Sequence, residues 1–258
     1  MSAPAETENP TVAAAAAAAS AGPETAEAEA PDSRIRADDG RQYWQSIDAD
    51  DNGMLGGYPN ISRTDLRGSR SFLAKLGLGR NKGQKAVRRA LEGGAGIGRI
   101  TQGLLLDVAE VVDIVEPIAK FTAALQGLEG VGQIFNMGLE EWRPTTVDGG
   151  DSVRYDLIWN QWCLGHLTDQ QLEEYLVRCK SVLSTGADGS TRGVIFVKEN
   201  MSTSGEDIFD EQDSSVTRED KKFRQIFEKA GLRIVKTELQ HGFPSELYPV
   251  RMYGLKPQ

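Results

Sequence analysis

Cysteine is scarce in this 258-residue chain: Cys163 and Cys179 are the only two. They build no disulfide framework and match no zinc-ligand spacing, so a reducing compartment is the expectation. Histidine is as rare, and His166 and His241 leave little room for a histidine-based metal site. Long hydrophobic runs are missing: no stretch approaches the roughly 20 apolar residues that span a membrane. The alanine run at 13–19 sits among acids, without the basic segment that opens a signal peptide. Positive charge is also short, with 29 Lys and Arg against 38 Asp and Glu and a formal net charge of −9. That balance argues against non-specific nucleic-acid binding, which needs a basic footprint. Residues 1–40 hold eight acids and two arginines, which leaves only −3 for the remaining chain. Such a surface suits a cationic substrate.

What is present reads as one sizeable domain behind a tail. Residues 1–40 are rich in Ala, Glu and Pro, with Ile35 their one apolar anchor and no aromatic residue. A segment of this kind buries too little surface to offset its ordering entropy, so disorder is expected over 1–40 and a folded domain over 41–258.

The domain is organised around Glu92-Gly93-Gly94-Ala95-Gly96-Ile97-Gly98-Arg99. Ala86–Leu91 reads as a strand leading in, and Ile100–Leu106 as the helix leading out. Glycines at 94, 96 and 98 admit positive φ and let backbone approach a ligand. Strand, glycine turn and helix N-terminus form the nucleotide-binding corner of an open α/β sheet. The third glycine slot of the dinucleotide fingerprint holds Arg99, which disfavours a nicotinamide dehydrogenase. An acid followed by three alternating glycines resembles instead the first motif of class I S-adenosylmethionine (SAM) methyltransferases.

Further strands are expected at Val108–Glu116, Val131–Asn136, Tyr155–Asn160 and Gly193–Lys198, with a closing antiparallel pair at 232–239 and 248–255. Helices are expected over 65–76, capped by Asp65, over 169–183, and around Phe223–Ala230. Alternation of strand and helix implies a doubly wound, parallel-rich α/β sheet with helices on both faces. Glu116, at a strand end and followed by a helix starting at Pro117, is favoured over Asp113 as the carboxylate for ribose hydroxyls. The acidic turn at Asp48–Gly53 lacks the flanking helices and the closing Glu of a calcium loop. Met54-Leu55-Gly56-Gly57-Tyr58 reads equally as a hydrophobic plug or as a substrate-gating loop. Trp159-Asn160-Gln161-Trp162-Cys163-Leu164-Gly165-His166 is the richest candidate segment, with Trp159 assigned to the core. The acidic stretch 201–216 reads either as a solvated loop or, because it carries Ile208 and Phe209, as a loop packing over the site, with Ser214 or Ser215 capping the next helix. Its acids have no histidine partner, so no metal is expected.

Tyr43-Trp44, the Leu-Gly-Gly-Tyr of 55–58, Gly94–Arg99, Gln161-Trp162 with Gly165-His166-Leu167-Thr168-Asp169, and Asp213-Ser214-Ser215-Val216 together resemble the eukaryotic protein N-terminal methyltransferases. The resemblance covers about residues 41–256. It implies a Rossmann-like, seven-stranded class I methyltransferase sheet with an N-terminal lid and substrate-binding extension over 41–80. It implies SAM as cofactor and, as substrates, proteins that begin Xaa-Pro-Lys once the initiator Met is removed, ribosomal proteins among them. Neither nucleic acid nor membrane is an expected partner. Cytoplasm, nucleus or both are compatible with the sequence.

By the same resemblance Gly94, Gly96 and Arg99 hold the methionine end of SAM, Glu116 the ribose, Leu139 and Glu140 the adenine, and Gln161 closes the pocket. Leu55, Gly56, Ile61, Trp162, Asp210, Ser215 and Tyr248 would touch the substrate. His166 and Asp213 occupy positions that handle the proton, with Asn200 beside them in the catalytic set. Three departures stand out: Glu116 where Asp is common, Glu140 where Gln is expected, and longer loops at 147–153 and 185–192. Two rival readings are a SAM methyltransferase for a small molecule or another side chain, and a non-catalytic binding subunit with the same fold.

Overall fold

The computed structural model describes residues 29–146 and 152–258; the expected loop over 147–153 and the first 28 residues of the expected tail lie largely or wholly outside them. Seven strands form one sheet: β1 (Val87–Gly93), β2 (Ala109–Val115), β3 (Val131–Phe135), β4 (Leu157–Gln161), β5 (Val194–Asn200), β6 (Leu232–Leu239) and β7 (Val250–Pro257). Their order is β3-β2-β1-β4-β5-β7-β6. The first five run parallel, while β7 lies antiparallel between β5 and β6. The order reverses beside β1, so the crevice above the ends of β1 and β4 is the place for a ligand.

Strands β4 and β5 are buried almost throughout, as a parallel sheet covered on both faces requires. One face packs beneath α3 (Asp169–Ser181) and α4 (Asp220–Lys229) through Leu172, Leu176, Phe223 and Phe227. The other packs beneath α2 (Ser62–Lys75) through Phe72 and Leu73. There Trp159 stacks on Phe196 at 3.6 Å, with Phe72 edge-on to Phe196 at 5.4 Å. Trp159 is thus the core residue expected of it. Asp113, the rival ribose acid, is buried inside β2, where it pairs with Arg89 at 2.8 Å and accepts from the Tyr155 hydroxyl. It belongs to the scaffold.

Several local expectations are corrected. Order begins before residue 41: Pro31–Arg34 forms a 3-10 turn, and α1 runs Ala37–Ser46. Tertiary contacts hold this segment. Ile35 is buried, the Asp32 carboxylate accepts from Asp169 N at 2.8 Å, and Arg36 N donates to Ser214 Oγ at 2.8 Å. A compositional average over 1–40 hides those anchors behind the alanine- and glutamate-rich part. Asp65 does not cap a helix; it sits inside α2 and is fully buried. The helix expected over 100–106 is present and runs on to Val108, with a π turn at Thr101–Leu105 inside it. Pro117 precedes its helix, Ala119–Thr122, whose cap is Ile118. The acidic stretch folds into a hairpin, Ile208–Asp210 against Ser215–Thr217, and Glu219, not a serine, stands at the start of α4, where its side chain makes no capping bond.

Candidate active site

At the carboxyl end of β1 the chain turns through Gly94 at φ 65° and Gly96 at φ 54°. A Cβ on Gly94 would stand 2.3 Å from the Cys163 Cβ, and one on Gly96 2.8 Å from the Met54 sulfur. A cavity of about 150 Å³ lies against this bare backbone. All seven residues expected around the cofactor line it: Gly94, Gly96, Arg99, Glu116, Leu139, Glu140 and Gln161. The Glu116 carboxylate, at the end of β2, accepts from Gly96 N and Ile118 N at 2.8 Å each. Burial raises its pKa against those two bonds. Glu92 is more extreme, pushed by burial to about 8, with the Thr101 hydroxyl bonded to it. Glu140 turns its carboxylate to Arg41 of α1 at 2.6 Å. Helix α1 thereby roofs the cavity.

A second cavity, of about 230 Å³, adjoins the first, and Trp44, Met54, Trp162 and His166 line both. Leu55, Gly56, Ile61, Trp162, Asn200, Asp213, Ser215 and Tyr248, named above as substrate or catalytic candidates, are brought together in the wall of this second cavity. Asp210 does not. It is exposed on the hairpin, where it accepts from Gln212 N. Phe243 adds an aromatic wall, its ring centroid 6.4 Å from that of Trp162. Met54–Tyr58 is both plug and wall: Leu55 is buried, and Gly56 and Gly57 turn at positive φ.

Trp162 itself stands in the left-handed region at φ 53°, an uncommon place for a large residue. Glu199 holds this turn, accepting from Cys163 N and Leu164 N at 2.9 Å, and burial pushes its pKa to about 7. The indole N–H of Trp44 donates to His166 Nε2 at 3.0 Å. His166 therefore carries its proton on Nδ1, beside the Ser214 carbonyl, and has no free lone pair. Asp213 differs. Its Oδ1 is buried without a partner, and burial raises its pKa while nearby His166 opposes the shift.

Sequence reasoning missed Asp65. Its carboxylate pairs with Arg99 at 2.8 Å and Lys198 at 2.5 Å and accepts from Gln161 Nε2 at 3.0 Å. A signal was available: Asp65 precedes Phe72 by two helical turns and so shares its inward face. Arg41 and Trp44, which close the roof, left no such pattern, because their partners lie far off in sequence.

This sheet order, with a glycine corner and an acid at the end of β2, defines a class I SAM-dependent methyltransferase. The chain belongs to the AdoMet dependent proline di-methyltransferase family, whose model matches residues 32–256. It is 45% identical to alpha N-terminal protein methyltransferase 1 of Schizosaccharomyces pombe over 223 residues, 85% of this chain and 95% of that one. It is 40% identical to N-terminal Xaa-Pro-Lys N-methyltransferase 1 of Mus musculus over 221 residues, 84% of this chain and 93% of that one. A solved SAM-dependent methyltransferase from Leishmania major superposes with a TM-score of 0.73 at 32% identity, covering 85% of this chain and 82% of that one.

Proposed function

We propose that this chain methylates the free α-amino group of proteins beginning Xaa-Pro-Lys, with SAM held in the first cavity and the peptide in the second. The observation that carries this reading is the shared wall of Trp44, Met54, Trp162 and His166, across which the two cavities meet.

The first cavity suits SAM: a side chain at Gly94 would strike Cys163 and one at Gly96 would strike Met54, both in its wall, and Gln161, another wall residue, keeps its Oε1 buried without a partner. Arg99 and Gln161 hold the amino-acid end, Glu116 the ribose, and Leu139 and Glu140 the adenine. When bound, SAM supplies an electrophilic methyl group.

An α-amine has a pKa of about 7.7–8.0, so most of it is a non-nucleophilic ammonium at neutral pH. Asp213 Oδ1, buried and unpartnered, accepts that proton as general base. With Nε2 engaged by Trp44, His166 orders the site instead of taking the proton. Asn200 and Ser215 orient the peptide from the second cavity wall. The Trp162 face stabilises the cationic, methylated amine between successive transfers. Leu55 and Ile61 receive the proline, Tyr248 flanks the chain at the mouth, and exposed Asp210 meets the substrate lysine. Positioning accounts for most of the rate gain. Ribosomal proteins with such starts, in the cytoplasm or nucleus, fit this substrate class.

Mass spectrometry of a Ser-Pro-Lys peptide incubated with protein and SAM tests the reading, beside Ser-Gln-Lys and N-acetylated controls. Gains of one to three methyl masses on the free Ser-Pro-Lys peptide alone support it. No gain with SAM bound would sink it and favour a small-molecule acceptor.

A further inference from the structure

Asp65, Arg99, Lys198 and Gln161 come from α2, the glycine corner, β5 and β4, yet they meet beneath the first cavity. Asp65 and Lys198 are fully buried, and the Arg99 side chain is only 9% exposed. The cluster holds two cations against one carboxylate. Lys198 is committed below, to Ser69 Oγ at 3.0 Å and Gln240 Oε1 at 2.7 Å. Arg99 reaches the cavity and lies over the Trp162 ring at 5.6 Å. Burial pushes the Glu92 pKa up to about 8, which disfavours the carboxylate form that would offset the surplus cation. A buried unbalanced cation is costly. An anion arriving beside Arg99 completes the balance.

Gln161 adds a direction. Its amide nitrogen lies 3.0 Å from both oxygens of Asp65; an amide oxygen there would face a carboxylate. The amide is therefore locked with Nε2 toward Asp65, which leaves Oε1 buried and unpartnered on a residue of the cavity wall. That oxygen is an acceptor waiting for a cationic N–H.

We propose that Asp65 is a positioning residue that turns Arg99 and Gln161 into a paired receptor for the zwitterionic amino-acid end of the cofactor. Arg99 takes the carboxylate and Gln161 Oε1 the ammonium, and Asp65, which touches neither, sets both. This rests on the cofactor assignment and not on the identity of the methyl acceptor.

Calorimetric titration with S-adenosylhomocysteine and with 5′-methylthioadenosine separates the two ends, because the second ligand lacks the amino-acid part. Wild-type protein is expected to bind S-adenosylhomocysteine at least about 100-fold more tightly, two groups each contributing roughly tenfold. In Asp65→Asn the ratio falls to about tenfold or less, while 5′-methylthioadenosine affinity holds within about threefold. Equal loss of both ligands, or an unchanged ratio, would overturn the proposal. Asp65→Asn strands Lys198 without its counter-charge. If that variant does not fold, Asp65→Asn with Lys198→Met removes the pair as a unit. The same collapse of the ratio is expected there, and a wild-type ratio in the double variant overturns the proposal. Wild-type protein that binds neither ligand would instead remove the cofactor assignment, and this inference with it.

Discussion

The Trp44 indole donates to His166 Nε2 at 3.0 Å, joining the roof helix α1 to the turn after β4. One bond thus closes the wall common to both cavities and assigns the histidine tautomer. A protonated His166 could not accept from the indole, so the bond stabilises the neutral ring. Burial acts in the same direction and keeps the His166 pKa below its usual 6.5.

His166 should accordingly titrate below 6.5, and Trp44→Phe should raise its pKa by removing the donor. Two-dimensional NMR of the imidazole signals reads this directly, with His241 as the only other histidine. The linkage has a definite sign. The unfolded chain takes up this proton at 6.5, before the folded chain does, so His166 lowers stability as pH falls from 6.5 to its folded pKa. Trp44→Phe should shrink that loss. A His166 pKa unmoved by Trp44→Phe would exclude the indole as the group that holds the ring neutral.

Asp213→Asn should lower kcat by about 100-fold or more, the range for loss of a general base. SAM affinity should hold, because Asp213 lines the second cavity and not the first. Stability should move the other way. A carboxyl whose pKa is raised on folding is most favourable below its unfolded value and loses stability as pH rises through the folded value. The neutral amide escapes that cost, so its Tm should exceed wild type at pH 7. Thermal melts at pH 7 and single-turnover kinetics check both halves, and a wild-type kcat would exclude Asp213 as the base.

Alanine at Gly94 and Gly96 should act unequally, although both turn at positive φ. At Gly94 the new Cβ meets Cys163, whose backbone is tied by Glu199, so nothing nearby yields. At Gly96 it meets the flexible end of Met54. Gly94→Ala should weaken SAM binding by more than tenfold and lower Tm by several degrees. Gly96→Ala should lose less on both counts, as calorimetry and thermal melts would show. Equal losses would contradict this reading of the cradle.

The sheet, the glycine corner, the acid after β2 and the core role of Trp159 were all legible in the order of residues. Each rests on short-range pattern: strand periodicity, alternating glycines, or an acid placed where a strand stops. Residues of the two cavities were legible through the family resemblance, which contiguous motifs such as Gln161–His166 and Asp213–Val216 carry. The anchoring of residues 31–46 was not, since Asp32, Arg36, Arg41 and Trp44 find partners at Asp169, Ser214, Glu140 and His166. Asp65 passed for a helix cap because its charge fits a helix start, and only folding brings Arg99, Lys198 and Gln161 around it. Which residue is free to take a proton was also decided in three dimensions. His166 and Asp213 look equally able in the sequence, but the indole of Trp44 fills the lone pair of one and leaves an oxygen of the other bare.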